Sequence, residues 1–306
     1  MLLTITSEVK GVTMKRIGII FGGKSGEHEV SLASAQSIAR EIDKEKYIPI
    51  LIGISKRGKW YYIEDTEKYV KFENPMQFKV EETGVEIIPI FVGGDIFEIN
   101  GGKRINLRID VVFPVLHGTF GEDGTIQGLL EMADMPYVGA SVLGSSVGMD
   151  KVISKKLLVE SNIPVTPYLI SKKREEKKIT YNTAKTKLGD VLFIKPANLG
   201  SSVGVSKVKS EDEFNKALSD AFLYDEKVLI EKAIVGQEIE CSVLGLDEFT
   251  ASVPGEVIPT HDFYSYDAKY LDKDGARLII PANLDEDKIK EVKKLAILTF
   301  KALECE

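Results

Sequence analysis

The chain has little cysteine, little histidine and no long apolar run, and each shortage removes a class of protein. Two cysteines, Cys241 and Cys305, in 306 residues supply neither a disulfide framework nor a zinc ligand set, and reduced thiols suit a cytoplasmic location. The three histidines, His28, His117 and His261, lack metal-ligand spacing, which argues against a zinc site. No apolar stretch reaches the ~18 residues that a membrane span needs. The opening MLLTITSEVKGVTMKR has no basic start followed by a long apolar segment, so no signal peptide is read. Positive charge is also short: 40 Lys+Arg against 47 Asp+Glu leave a formal charge of −7. That balance speaks against a general nucleic-acid or anionic-membrane binder, while leaving room for a local pocket that takes a small anion.

What remains is soluble globular composition, 43% hydrophobic and 28% charged, in a length that suits two or three domains. Residues 1–13 carry no strong pattern and read as an extension ahead of Met14. From Arg16, RIGIIFGG is a short apolar run ending in glycines, the pattern of a buried strand entering a tight loop. Val30, Leu32, Ala35, Ile38, Ala39 and Ile42 then recur at helical spacing, and YIPILIGI from Tyr47 is a second buried strand. Strand, helix and strand within about forty residues predict a βαβ unit and a parallel sheet. A short strand is expected at Lys59–Ile63, and the polar, glycine-spotted stretch 64–108 reads as hairpins and surface insertion. The core resumes at DVVFPVLHG from Asp110.

A second unit is expected from about Gly139. It holds a helix from Met149 to Ser161, strands at LFIKP and VGVSKV around the loop ANLGSSVG, and the strand KVLIEKAI. Ser210 with Glu213 is a capping-box signature that opens a helix through Leu223. Strands are then expected at Glu238–Leu244, Ser252–Ile258 and Ala276–Ile280, followed by an amphipathic helix with Ile289, Val292, Leu295, Ala296, Thr299, Phe300 and Leu303 on one face. GSSVG occurs at Gly144–Gly148 and again at Gly200–Gly204. Without extended similarity around the copies, the repetition reads as coincidence.

Four stretches carry residues suited to chemistry. FIKPANLGSSVG delivers Lys195 beside a Gly-Ser-Ser loop whose N–H groups and hydroxyls can surround phosphate oxygens, although the order of a Walker A loop is absent. Lys151, in GMDK at a helix start, opposes the helix dipole unless an anion lies close. LIEKAIVGQEIE places Glu231 and Lys232 at a strand end and Glu238 after a glycine turn, an arrangement that suits a base on strand-end backbone and a carboxylate on ribose hydroxyls. FGGKSGEHEVSLAS puts Glu27 between a glycine loop and a helix, at the strand end where open sheets bind ligands, and His117 falls at the same edge. Plain alternatives stand beside each: a flexible turn, a solvated lysine, a charged strand edge and a simple helix cap.

GGKSGEHEVSL, LHGTFGEDGTIQG, MDK, FIKPANLGSSVGVSKV, LIEKAIVGQE and FYSYDAKYL, in this order over Gly22 to Leu271, resemble the D-alanine:D-alanine ligases of the ATP-grasp superfamily. The resemblance implies an α/β fold of three domains: an N-terminal parallel-sheet domain over 14–138, a central ATP-grasp subdomain over 139–232 and a C-terminal one over 233–306. It implies ATP, Mg²⁺ or Mn²⁺, and two D-alanines joined through a D-alanyl phosphate for peptidoglycan precursors and cell shape, in the cytoplasm. No nucleic acid or membrane partner is expected, and ligases of this kind are commonly homodimers.

By the same resemblance Glu27 binds the ammonium of the first D-alanine, with His117 beside that substrate and Ser201 and Tyr270 hydrogen-bonded partners of Glu27. Lys151, Lys195, Ser201 and Ser202 meet the ATP phosphates. Glu231, Lys232 and Ile234 face adenine, Glu238 faces ribose, and Lys269 reaches a phosphate when the FYSYDAKY loop closes as a lid. The intact YxAKY pattern implies a dipeptide rather than a D-lactate ester. One departure stands out. The family's arginine for the oxyanion, and its aspartate, glutamate and asparagine for two Mg²⁺ ions, follow the last helix, whereas this sequence reaches Glu306 where that segment begins. The expectation is therefore a C-terminally truncated form with an incomplete last domain and no metal ligands. A catalytically impaired nucleotide-binding form and a related ATP-grasp amino-acid ligase are the alternatives.

Overall fold

The computed structural model describes residues 14–90, 96–99, 103–175, 179–260 and 275–305, which fall into two compact units, one ending at Val142 and the other beginning at Leu143. In the first unit, β1 (Lys15–Gly22), α1 (His28–Glu41) and β2 (Tyr47–Ile54) form the expected βαβ unit, with β1 and β2 parallel from Lys15↔Tyr47 to Gly22↔Ile54. β1 is an interior strand, flanked by β2 and β7, and is covered on both faces, so its side chains are apolar on both. Ile17, Ile19 and Phe21 pack under α1 with Leu32, Ala35 and Ala39. Ile20 faces the other way, with Ile50 and Ile52 and, on the helix α4 (Thr125–Met132), Ile126 and Leu130. This is why the strand reads as a continuous apolar run rather than an alternating one.

The stretch read as insertion is more ordered than its composition suggested. β3 (Trp60–Ile63) is followed by the short helices α2 (Thr66–Val70) and α3 (Val80–Thr83), and then by β4 (Val85–Ile90), β5 (Ile96–Ile99) and β6 (Lys103–Asn106). These strands pair antiparallel in sequence and prolong the main sheet, whose order is β6-β5-β4-β3-β2-β1-β7, with β7 (Val111–Pro114) parallel to β1. The short connections β2–β3, β4–β5 and β5–β6 permit only antiparallel neighbours, and β3–β4 pairs antiparallel across its longer helical connection, hence the mixed sheet. Tyr69 ties α2 to the core: it is fully buried, stacks on Phe21 at 4.9 Å and donates from its hydroxyl to Leu32 O at 2.6 Å.

In the second unit, α5 (Val142–Met149) and α6 (Lys151–Glu160) precede a four-stranded antiparallel sheet of order β10-β9-β11-β8. Its strands are β8 (Tyr168–Lys172), β9 (Leu192–Pro196), β10 (Ser206–Val208) and β11 (Lys227–Lys232). One face, with Leu192, Ile194, Val228 and Ile230, is sealed by α7 (Tyr181–Leu188) and α8 (Glu211–Ala221). Side chains alternate across a strand, so Phe193, Lys195, Leu229 and Glu231 occupy the opposite face. α8 opens on the predicted cap with a variation. Glu213 N donates to Ser210 Oγ at 3.3 Å, but the Glu213 carboxylate accepts from Lys209 N, one residue outside the usual partner.

The remaining strands are shorter than expected because the predicted runs break. Glu238–Leu244 divides into β12 (Glu238–Glu240) and β13 (Val243–Leu244), and β14 (Thr250–Ala251) precedes β15 (Gly255–Pro259). β12, β15 and β16 (Ala276–Ile279) form one antiparallel sheet, and β13 pairs with β14. The last helix, α9 (Glu286–Ala302), is capped by Asp285 Oδ1 on Lys288 N at 2.8 Å. The two GSSVG copies differ as coincidence requires. Gly144–Gly148 lies within α5, whereas Gly200–Gly204 is a turn with Ser201, Ser202 and Gly204 at positive φ. Among the described residues no helix is long and apolar enough to cross a membrane.

Candidate functional site

In the first unit, the loop after β1 and the loop after β7 meet at the carboxyl ends of two adjacent parallel strands. Gly22, with φ +88, brings its backbone against Ile54, and Gly23 N donates to Ile54 O at 2.8 Å. Ser31, on the first turn of α1, joins the two loops: its Oγ accepts from Gly22 N at 2.7 Å and donates to Val115 O at 2.5 Å. Ser25 does the same one step outward, donating to His117 O at 2.6 Å and accepting from Glu27 N at 3.2 Å.

This stitching buries Glu27, 4% exposed, at the N-cap position of α1, yet its carboxylate makes no capping bond to the helix. The simple-cap alternative therefore does not hold. The carboxylate lies against Gly118, whose φ of +71 and missing side chain leave it room; a Cβ there would stand 2.4 Å from Glu27 Oε2. His117 is oriented by Ser34 Oγ, 3.0 Å from its Nε2, and by Glu122, whose Oε1 lies 4.0 Å from Nδ1 while Oε2 accepts from Gly118 N at 2.7 Å. Glu27 and His117 thus share one strand-end edge, linked through Ser25 and Gly118. A cleft of about 360 Å³ beside them is lined by Gly22, Lys24, Trp60, His117 and Phe120.

In the second unit, the face of the four-stranded sheet opposite α7 and α8, partly covered by α6 through Val152, carries a cluster of cations around one carboxylate. Glu231, with a side chain only 7% exposed, receives Lys155 Nζ on Oε1 at 2.8 Å and Lys195 Nζ on Oε2. Burial alone would raise its carboxyl pKa, but the ammoniums of Lys195 and Lys155 outweigh burial and hold it below its ordinary value. Lys151 donates to Leu199 O, in the Gly-Ser loop. Burial, reinforced by the charge of Lys195, lowers the Lys151 pKa. Two half-exposed to buried lysines that repel each other beside a loop of N–H groups make a site that favours an anion.

The frame of this site is largely carboxylate-built. Asp150 caps α6 by accepting from Val152 N and Ile153 N at 2.9 and 3.1 Å, and its other oxygen pairs with Lys227. That cap offsets the unfavourable placement of Lys151 at the helix start. Asp225 accepts from both Asn198 N and Asn198 Nδ2, at 2.9 and 2.8 Å, and so fixes where the ANLGSSVG loop leaves β9. Within the loop Ser201 and Ser202 have φ of +48 and +60, a conformation that costs L-residues ~1–2 kcal/mol each and recurs at ligand clamps.

A second cleft of about 610 Å³ lies between the four-stranded and three-stranded sheets of this unit. Its lining includes Phe193, Lys207, Ile234, Gln237, Glu238 and Glu256. Gln237 Nε2 donates to Glu256 Oε1 at 3.0 Å, which shapes the wall opposite Phe193. Ile234 and Glu238 both line this cleft. The Glu231 side chain is not on it, being held by two lysines, and Lys232 is exposed, its N–H donating to Pro167 O at 3.0 Å. Lys269 and Tyr270 lie outside the described residues. Lys155, Asp150, Asp225, Asn198, Phe193 and Gln237 were not singled out from sequence. Only Lys155 left a signal: it is four residues after Lys151, one helical turn along the same face. Among the described residues no three His, Cys, Asp or Glu side chains gather in a way that could hold a metal ion.

Comparison with known proteins agrees with this layout. Residues 16–140 match the family model described as D-ala D-ala ligase N-terminus, and residues 157–306 match D-ala D-ala ligase C-terminus. A D-alanine–D-alanine ligase of Oceanobacillus iheyensis is 47% identical over 294 residues, and one of Shouchella clausii is 48% identical over 296; each match covers 95% of this chain and 80% of the relative. Among solved structures, the D-alanine–D-alanine ligase of Coxiella burnetii superposes with a TM-score of 0.83 at 35% identity, covering 95% of this chain and 78% of that one. The VanG D-Ala:D-Ser ligase of Enterococcus faecalis superposes with a TM-score of 0.78 at 34% identity, covering 96% and 84%. Two family models spanning most of the chain, and relatives near half identity along it, show that the chain belongs to the D-alanine–D-alanine ligase family.

Proposed function

We propose that the chain is an ATP-dependent ligase that joins two D-alanines into D-alanyl-D-alanine, a peptidoglycan precursor. A carboxylate oxygen of the first D-alanine attacks the γ-phosphorus of ATP, and ADP leaves. The amine of the second attacks the acyl phosphate carbon, losing a proton, and inorganic phosphate leaves as the peptide bond forms. A carboxylate oxygen is a poor leaving group and phosphate a good one, so phosphorylation lowers the barrier of the second step.

The residues take the following parts. Glu27 pairs with the ammonium of the first D-alanine, and its fixed position sets which carboxylate oxygen is presented. His117 stands beside that substrate, oriented by Ser34 and Glu122. Lys151 and Lys195, with the N–H groups of the loop carrying Ser201 and Ser202, take up the growing negative charge on the phosphates. The cleft between the two sheets of the second unit receives the nucleoside, with Ile234 against the base and Glu238 on the ribose. Glu231 and Lys232 act from the same strand end. Lys269 is assigned to the phosphates, and Tyr270 and Ser201 to catalysis, as the family resemblance implies; Lys269 and Tyr270 lie outside the described residues. The nucleotide walls are the subdomains over 139–232 and from 233 onward, following an N-terminal domain over 14–138.

Mg²⁺ or Mn²⁺ is the ion implied by this chemistry, where it would neutralise charge on the transferring phosphoryl group. The described residues offer no cluster that fits it, and no step is assigned to it. A cytoplasmic location and a homodimer are part of the same proposal. The observation that carries the reading is the near-half identity to D-alanine–D-alanine ligases along 95% of the chain. Its test is a product panel with ATP and equimolar D-alanine, D-serine and D-lactate. D-alanyl-D-alanine as the main product is expected, and a predominance of the D-serine peptide or the D-lactate ester overturns the assignment.

A further inference from the structure

Lys155, a cation on the nucleotide face of the second unit, has no part in the function proposed above. Lys155 lies on α6, its side chain is 14% exposed, and three groups hold it: Glu231 Oε1 at 2.8 Å, Thr166 O at 3.2 Å, and the Tyr168 ring with the ammonium 5.2 Å from its centroid. Lys195 is bound less completely. It contacts the other oxygen of Glu231, is 25% exposed, and has no second acceptor among the described residues.

We infer that Lys155 is a positioning residue of the nucleotide site: by staying on Glu231 it lets Lys195 leave that carboxylate for the phosphates. The step follows from what burial does to an ion. Removing the partner of a buried charge is strongly unfavourable, because the remaining ion can be solvated by neither water nor a counter-charge. If Lys195 were the only cation on Glu231, moving it to a phosphate would strand the carboxylate, and that cost would be subtracted from nucleotide affinity. With Lys155 fixed on the other oxygen, Glu231 stays neutralised when Lys195 swings away. The two lysines divide the work by their anchoring: Lys155 is held by a carbonyl and a ring and stays, whereas Lys195 is free to exchange one anion for another.

This inference rests on the reading that Lys195 meets the nucleotide phosphates, and the test separates the two. Binding of a non-hydrolysable ATP analogue and of adenosine is measured by calorimetry for the wild-type protein, Lys155→Met, Lys155→Arg, Glu231→Gln, Lys155→Met/Glu231→Gln and Lys195→Met. Lys155→Met is expected to weaken the triphosphate by about tenfold or more while adenosine stays within about twofold, and Lys155→Arg to restore most of the loss. In the Glu231→Gln background there is no charge to hold, so adding Lys155→Met should change triphosphate binding by less than about twofold. Equal losses for adenosine and triphosphate, or an undiminished loss in the Glu231→Gln background, overturn the inference. Should Lys155→Met alone not fold, Lys155→Gln takes its place in both backgrounds with the same criteria. If Lys195→Met binds the triphosphate as tightly as wild type, the phosphate role of Lys195 itself fails. If Lys195→Met weakens binding but Lys155→Met does not, only the role of Lys155 fails.

Discussion

Gly118→Ala probes whether the Glu27 carboxylate is held in one place for a substrate ammonium. Two costs are read from the structure. The backbone at Gly118 has φ +71, where a Cβ costs ~1–2 kcal/mol. The new methyl would also stand 2.4 Å from Glu27 Oε2, where ordinary contact begins at 3.4 Å, so the carboxylate must withdraw by about 1 Å. The Glu27 backbone cannot follow freely, because Ser25 Oγ takes its N–H and Ser31 N takes its carbonyl. The displacement therefore falls on the side chain. A misplacement of ~1 Å in a reacting assembly costs up to ~100-fold, or about 2.7 kcal/mol. Steady-state kinetics should show kcat/KM for D-alanine down by about 30- to 100-fold, with KM for ATP little changed. Urea unfolding should report a loss of about 1–2 kcal/mol. Gly189→Ala is the control: its φ is +104 with nothing within 4 Å, so it carries backbone strain without crowding any carboxylate. A Gly118→Ala protein that loses stability yet keeps the wild-type kcat/KM for D-alanine would refute Glu27 as the anchor.

Two further outcomes follow from the same geometry. Ser31→Ala removes the acceptor for Gly22 N and a donor to Val115 O in a buried site; urea unfolding should show a loss of about 2–4 kcal/mol, and a loss under ~0.5 kcal/mol would mean the two loops are not joined through this hydroxyl. Lys151 has a lowered pKa through burial and the charge of Lys195, and nucleotide phosphates oppose both effects and raise it. As pH rises toward the ordinary lysine value of 10.5, a growing share of Lys151 is neutral in the free protein, so ATP binding should take up protons. Calorimetry in buffers of different ionisation enthalpy should find uptake that increases from neutral to alkaline pH and disappears in Lys151→Met; equal uptake in both proteins contradicts it.

Much of this organisation was legible in sequence, for definable reasons. The first βαβ unit shows because β1 and β2 are covered on both faces and must be apolar throughout, and Glu27 and His117 show because they stand at strand ends next to glycines. The hairpins of β4–β6 were expected within 64–108, but their continuation of the main sheet was not, since the runs are short, separated by glycine pairs at Gly93–Gly94 and Gly101–Gly102, and carry charged residues. Lys155 left only its spacing from Lys151 as a trace, for another reason. It adjoins Lys156 on α6, and only the tertiary pairing with Glu231 distinguishes it from its solvated neighbour. Asp150 and Asp225 act through capping and loop bracing, roles that short polar residues fill anywhere in a chain. The duplicated GSSVG shows the limit from the other side: the same five residues are helix in α5 and a left-handed turn after β9, because packing rather than local sequence decides.

Isotope transfer distinguishes phosphorylation of a D-alanine carboxylate before peptide-bond formation, the proposed first step, from direct condensation. If D-alanine with both carboxylate oxygens labelled with the heavy isotope is incubated with ATP and the metal ion, the attacking oxygen must leave with phosphate. Inorganic phosphate should carry one labelled oxygen for each D-alanyl-D-alanine formed. Dipeptide accompanied by unlabelled phosphate would contradict it.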